Sequence, residues 1–426
     1  STASMVALYF VIPVLAEDQI FTHREFNEKN GFSVGFVRTL PRKMKAPENY
    51  RKEYFDDLLS GYKGEAYEGD LPDIIFIQDE SLSDMDLVIN YSASENPLDA
   101  LYNLNENVST SYFLSPMAGG GTCNVEYEVL TAMPYANVGG TPFVDGLPAD
   151  TCSLVSILND LGYQTTAIHT NTEAFFNRHV TYNRLQFDEA YFSQNITLDE
   201  TGYKIGEWLN DAYAYEVLKD VYENRDESKP FFGYVVTTQN HGIYPEAYDR
   251  WEIKVDGNME EPGTRRLQTF LNLEKESVNS YKKLLEYFDN VDKDVVVVMY
   301  GDHCPSYWVF YFPDVSVKDA AELQQHFTPL LIWDNYGKEF DLKKDDVTAA
   351  YNLTPYILDQ LGIYTDSYIN YSRANHTPNV FGSTQINSFD DYSDITTWSE
   401  KMNDYWNSIW MIQYDRVYGN HYSLKQ

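Results

Sequence analysis

The chain has 426 residues, with 65 acidic side chains against 31 Lys and Arg and a formal net charge of −34. That length suits one large α/β domain with a small appendage, or two ordinary domains. The charge repels nucleic acid and anionic surfaces, so it argues against a nucleic-acid partner, and an anionic substrate must meet local positive charge: a metal, a helix N-terminus or a few Arg and His side chains.

Residues 1–65 are mixed and polar, with a helix expected over 50–60, and read as a lead-in that wraps the main domain. The longest apolar run, residues 6–16, is about half of the ~20 residues a membrane span needs. The chain opens Ser-Thr-Ala-Ser-Met, which reads as a boundary with upstream segments removed. The main domain is expected over 66–365. In it, 71–78, 163–169, 230–238, 294–300 and 328–333 are short apolar runs without alternation, as in strands buried on both faces of a parallel sheet. Helices are expected over 152–161, 203–224, 264–288 and 354–361, the last with Pro355 at its first position and Gly362 closing it. The tail, 366–426, is rich in Asp, Asn, Tyr and Trp and is expected as a small C-terminal subdomain. The alternation predicts an α/β fold with an open, mostly parallel central sheet covered by helices on both faces.

Gly119, Gly120 and Gly121 run straight into Thr122, and Val125, Val129, Leu130 and Met133 then recur at one-turn spacing, so a helix should begin near Thr122. The glycines let the backbone approach a ligand, and the first amides of the helix favour an anion such as a phosphoryl group. Thr122 is therefore a candidate nucleophile, with an N-cap as the bland alternative. Four apolar strands give out at Glu80, His169, His241 and the pair Asp302 and His303. In open α/β sheets ligands bind beyond the carboxyl ends of the strands. Glu80, Asp302 and His303 offer two hard oxygens and an imidazole, a set suited to Mn²⁺, Mg²⁺ or Zn²⁺ with the Thr122 oxygen as a further ligand. Coordination would lower the hydroxyl pKa and orient the alkoxide. Arg178 is a candidate phosphate grip and His241 a candidate acid for a leaving oxygen, against the alternatives of a salt bridge and a loop histidine. Cys123, Cys152 and Cys304 are too few for a disulfide scaffold; at most one bridge can form, and a small buried hydrophobe is the expected role of each.

The collinear motifs at 79–84, 119–126, 175–178, 239–242 and 301–303 resemble those of the lipoteichoic acid synthase family, phosphoglycerol transferases of the alkaline phosphatase and sulfatase superfamily. The resemblance implies an alkaline phosphatase-like fold and an extracellular catalytic domain tethered by N-terminal membrane helices. It implies Mn²⁺ held by Glu80, Thr122, Asp302 and His303, with His169, Arg178 and His241 on the phosphoglycerol. It further implies an anionic glycerophospholipid donor and a glycan or polyglycerophosphate acceptor. The family usually carries Trp in place of Phe176 and Asp in place of His179, both at the substrate pocket. Hydrolysis as a phosphodiesterase or phosphatase, or phosphoethanolamine transfer, are the alternative activities. A sulfatase would need Cys-x-Pro-x-Arg, and the sequence after Cys123 lacks both the Pro and the Arg. A catalytically dead glycopolymer-binding module is the remaining alternative.

Overall fold

The computed structural model describes residues 46–104, 107–138, 140–246, 248, 250–311, 313 and 315–424. Most of the 1–65 lead-in therefore lies outside the described residues. Eight strands form the central sheet: β1 (Asp73–Asp79), β2 (Val108–Leu114), β3 (Gln164–His169), β4 (Glu189–Phe192), β5 (Phe231–Val236), β6 (Val295–Gly301), β7 (Phe327–Asp334) and β8 (Val347–Ala349). Their order is β8-β2-β7-β6-β1-β5-β3-β4. All run parallel except β7, which is antiparallel to both β6 and β2.

Side chains of β6 alternate between two cores. Val296, Val298 and Tyr300 join one, Val295, Val297 and Met299 the other. A strand buried on both faces has no polar side to alternate with, which is why its sequence reads as an unbroken apolar run. The first face is covered by α1 (Lys52–Leu59), α2 (Thr122–Thr131) and α3 (Leu154–Asp160). α4 (Arg178–Arg184) follows β3. The opposite face is covered by α5 (Asp211–Glu223) and α6 (Pro262–Phe288), whose Leu218, Tyr281 and Leu284 meet Ile75 and Ile77 of β1.

Several elements depart from the sequence expectations. β2, β4 and β8 were not foreseen. The helix expected over 354–361 is α7 (Ala350–Gln360), which begins earlier and carries Pro355 inside it. The stretch 203–224 starts as a two-stranded ribbon, Lys204–Ile205 against Trp208–Leu209, before α5 begins. Residues beyond 366 pack into the main body. Ile409, Ile412 and Val417 of α8 (Glu400–Val417) belong to the same core as Val129 and Leu130, and Gln413 donates to the Tyr127 hydroxyl at 3.1 Å. A three-stranded antiparallel sheet, β9 (Asn379–Phe381), β10 (Thr384–Ser388) and β11 (Asp391–Asp394), places Ile386 against Leu114 and Val347 at the sheet edge. Among the described residues no helix is long and apolar enough to cross a membrane.

Candidate active site

β1 and β6 are neighbours with Asp79 opposite Gly301, so the residues that follow each strand, Glu80 and the pair Asp302 and His303, emerge side by side. Gly301 is required there, because a Cβ at that position would sit 1.8 Å from the Leu82 oxygen. Ser81, in the left-handed region at φ 56°, donates its amide to Asp302 Oδ1 at 2.8 Å and its hydroxyl to Glu80 Oε1 at 2.8 Å. One residue thus orients both carboxylates. His303 Nδ1 lies 3.3 Å from the Cys304 oxygen and donates to it, so Nε2 is the ring nitrogen that faces Glu80 Oε1 at 3.6 Å and Asp302 Oδ2 at 3.5 Å.

Ligand atoms of Glu80, Asp302 and His303 all lie within 4.8 Å of one another. Asp302 Oδ2 is buried without a hydrogen-bond partner. Burial, then the charge of Glu80, pushes the Asp302 carboxyl up to about 7. Two buried carboxylates converging on one point beside an imidazole nitrogen are costly unless a cation neutralises them. The residues present therefore fit a divalent metal.

Thr122 sits at the rim of this cluster, its hydroxyl donating to Glu80 Oε2 at 3.4 Å. It is the first helical residue of α2. Gly121, at φ 93°, occupies the N-cap without a side-chain cap, so the N-cap alternative for Thr122 does not hold. A Cβ at Gly121 would also strike the Met117 side chain. The Gly119 amide donates to the Cys304 oxygen at 2.7 Å, tying the glycine turn to the loop that carries His303. From below, Gln78 Nε2 donates to the Thr122 main-chain oxygen at 3.0 Å, and Gln78 Oε1 accepts from the hydroxyls of Tyr234 and Tyr300.

A second cluster gathers His169, Phe176 and Arg178. The Arg178 guanidinium is fully buried and paired with Glu126 at 2.5 Å, with further bonds to His169 Nε2 at 3.1 Å and the Phe175 oxygen at 3.3 Å. Burial works against the Arg178 charge, and Glu126 overrides it, leaving the group more basic than usual. Arg can only donate, so His169 Nε2 accepts and its Nδ1–H donates to the Val236 oxygen at 3.0 Å. Burial, then the Arg178 charge, holds His169 well below the usual histidine pKa, hence neutral. Phe176 takes a left-handed backbone at φ 52°, and its ring lies 5.3 Å from the Arg178 carbon. The expected phosphate grip is therefore an arginine already committed to an internal carboxylate. His241, five residues beyond the end of β5, is half-buried against the Trp208 ring at 4.4 Å, with Nδ1 bonded to the Gly242 oxygen. His179 stands apart: it is exposed, and its Nδ1 bonds the Glu173 oxygen.

Sequence reasoning missed Glu126, Tyr182 and Asp79. Glu126 lies one turn beyond Thr122 in a helix buried at every position, and an acid in such a stretch needs a cation, a hydrogen-bond donor or a proton, which was the available signal. Tyr182 donates to Glu126 Oε2 at 2.6 Å. Asp79 is buried beside Glu80, and burial, then Asp211, raises its carboxyl well above the usual range. All three cysteines are free and buried; burial pushes the Cys152 thiol up to about 11 and that of Cys304 up to about 12.

Residues 72–363 match the sulfatase family model. The chain belongs to the sulfatase family. Its architecture is an alkaline phosphatase-like α/β fold around a mostly parallel sheet. A Rhizobium meliloti protein named for cyclic beta-1,2-glucan modification is 29% identical over 344 residues, covering 76% of this chain and 51% of that protein. Lipoteichoic acid synthase 2 of Bacillus subtilis is 25% identical over 346 residues, covering 76% of this chain and 49% of that protein. The chain thus spans about half the length of these relatives. Among solved structures, the Streptococcus pyogenes phosphoglycerol transferase GacH in complex with sn-glycerol-1-phosphate superposes with a TM-score of 0.72 at 22% identity, over 90% of this chain and 98% of that one. The sulfatase-family fold is thus shared with phosphoglycerol transferases.

Proposed function

We propose that this domain transfers a phosphoglycerol group from an anionic glycerophospholipid to a glycan hydroxyl through Thr122. The observation that carries the reading is the Thr122 hydroxyl 3.4 Å from Glu80 at the edge of the Glu80, Asp302 and His303 cluster. Support comes from the likeness to GacH and lipoteichoic acid synthase 2. Glu80, Asp302, His303 and the Thr122 oxygen would hold the metal, with Mn²⁺ as the expected ion; when bound, it lowers the pKa of the threonine hydroxyl and offsets charge on the phosphoryl group.

Thr122 Oγ1 loses its proton to solvent and attacks phosphorus, the bond from phosphorus to the diacylglycerol oxygen breaks, and that oxygen takes a proton. His241 is the proposed donor of this proton, acting as the imidazolium, its Nδ1–H held by the Gly242 oxygen and its Nε2–H left to serve the substrate. An acceptor hydroxyl then gives its proton to the neutral His241 and displaces Thr122, whose oxygen recovers a proton from solvent. The first amides of α2 stabilise the oxygens of the transferring group. Arg178 and His169 form the wall behind the headgroup, Arg178 acting by holding His169 neutral and in one tautomer. Phe176 packs on that wall, and His179 faces the substrate only if the headgroup extends past α4. The tethered, extracellular setting of the family is part of the same reading.

The test is metal analysis of the purified domain with turnover of fluorescent phosphatidylglycerol against phosphatidylethanolamine. Release of phosphoglycerol, dependent on Thr122 and on metal, is the expected result. Preference for phosphatidylethanolamine, or turnover that persists in Thr122→Ala, would overturn it.

A further inference from the structure

We propose that a cleft beside His241 is the acceptor subsite and that it takes a neutral glycan rather than a polyanion. This rests on the transferase reading above and names its acceptor. The cleft has a volume of about 600 Å³ and is lined by the tip of the 204–209 ribbon, Lys204, Ile205 and Gly206, and by Pro245, Tyr248 and Trp251 from the segment that follows His241. It is built from the same two pieces of chain that hold the proposed proton donor. Trp208 of the ribbon packs on the His241 ring at 4.4 Å, and Pro245 lies four residues after His241. A ligand in the cleft therefore lies against the two chain segments that hold His241.

Two aromatic side chains, both half-buried, supply flat apolar walls. Trp251 is fixed by its Nε1–H, which donates to Thr269 Oγ1 at 3.0 Å, and the Tyr248 hydroxyl donates to Glu276. A pyranose offers an apolar C–H face and a rim of hydroxyls, which matches ring planes flanked by hydrogen-bonding groups. Charge decides between the two acceptor classes. Lys204 is paired with Glu200 at 2.6 Å and Arg250 with Glu276 at 3.2 Å, while Glu246 takes Arg265 at 2.7 Å and Arg266 at 2.8 Å. The two cations that line the cleft, Lys204 and Arg250, are each held by a carboxylate, Glu246 adds an acid to the lining, and the chain carries a net charge of −34, so a polyglycerophosphate chain finds no unpaired cation in the lining. A neutral sugar loses nothing by that balance.

Calorimetric titration of the domain with a neutral β-1,2-linked gluco-oligosaccharide, and separately with a glycerophosphate oligomer, tests the assignment without requiring turnover. The glucan is expected to bind and the oligomer not. Trp251→Ala and Tyr248→Ala should each weaken glucan binding at least about tenfold, whereas Trp251→Phe, which keeps a ring in place, should stay within about threefold. Melting temperatures identify any variant that has lost its fold. Thr122→Ala should bind glucan as the unaltered chain does, so loss of the transferase reading and loss of the subsite are separable: turnover that survives Thr122→Ala overturns the first alone. Absence of glucan binding, binding unchanged in both alanine variants, or preference for the glycerophosphate oligomer overturns the subsite.

Discussion

The side-chain amide of Gln78 donates to the main-chain oxygen of Thr122 across 3.0 Å, and its carbonyl collects the hydroxyls of Tyr234 and Tyr300 from the strands on either side. A central-strand residue thereby sets the height of the candidate nucleophile above the sheet. Gln78→Leu removes the acceptor shared by two buried hydroxyls, which keep only each other at 3.2 Å, and the side-chain donor to the Thr122 carbonyl, so we expect a stability loss of about 1–3 kcal/mol in urea unfolding. Donor turnover should fall more than about tenfold, since a misplaced nucleophile costs rate beyond its cost in stability. Turnover close to that of the unaltered chain would separate Gln78 from positioning.

Thr122→Ala should abolish turnover while shifting the melting temperature little. The threonine makes no cap, because Gly121 holds that place, so the helix keeps its start. Residual activity within about tenfold, a barrier change of only ~1.4 kcal/mol, would remove Thr122 from the chemistry.

Metal should bind once per chain at Glu80, Asp302 and His303 and should stabilise the fold, because the cluster leaves Asp302 Oδ2 buried and unpartnered without it. Chelation is expected to lower the melting temperature, and restoring Mn²⁺ in increasing amounts to raise it progressively. Asp302→Asn should lose both the metal and the shift, as measured by elemental analysis and calorimetry.

The Arg178 and Glu126 pair is fully buried, so breaking it from one side strands a charge. Arg178→Met and Glu126→Gln alone should each cost about 3–5 kcal/mol, and the double variant less than the sum of the two. A double-mutant cycle in denaturant reads the coupling directly; additive losses would mean that the pair is not one unit.

Glu128, on the same helix, is buried and accepts from the Tyr135 amide at 2.7 Å, and burial raises its carboxyl to about 8. Its folded pKa lies above its unfolded value, so between about 4.5 and 8 the folded chain holds a proton that the unfolded chain has released. Stability contributed by this group is full below the unfolded pKa and is lost as pH rises through the folded one. Glu128→Gln should flatten that decline and raise the melting temperature at pH 8 relative to pH 5. Parallel stability profiles for the two proteins would show that Glu128 does not titrate in this window.

Strands with β-branched runs, such as 294–300, were legible because both their faces are buried. β2, Val108–Leu114, was not: Ser109 and Ser111 interrupt it, yet Ser111 is buried and the strand lies between β7 and β8. β8, with three residues, is too short to leave a pattern. Pro355 misled because proline favours a helix start, whereas here tertiary packing carries α7 through it; the Thr354 hydroxyl donates to the Val129 oxygen at 2.6 Å and fastens α7 to α2. Strand ends revealed Glu80, Asp302 and His303 because the sheet rule concerns position along a strand. The Arg178 pairing depends on Glu126, fifty-two residues away in sequence, and no local pattern reports such a distance.

The reversed strand β7 begins at the same end of the sheet where β6 stops, so residues 302–326 leave the site and return to it. Ser115 clamps both ends of that excursion: its hydroxyl donates to the Asp302 oxygen, its amide to the His326 oxygen at 2.8 Å, and its own carbonyl lies 2.9 Å from His326 Nδ1. The ligand-bearing root of the loop is thereby insulated from whatever its middle contains. Exposed positions of the loop, such as Trp308 and Tyr311, can therefore vary while Asp302 and His303 stay in register, a route by which one catalytic floor is kept as its surroundings diverge.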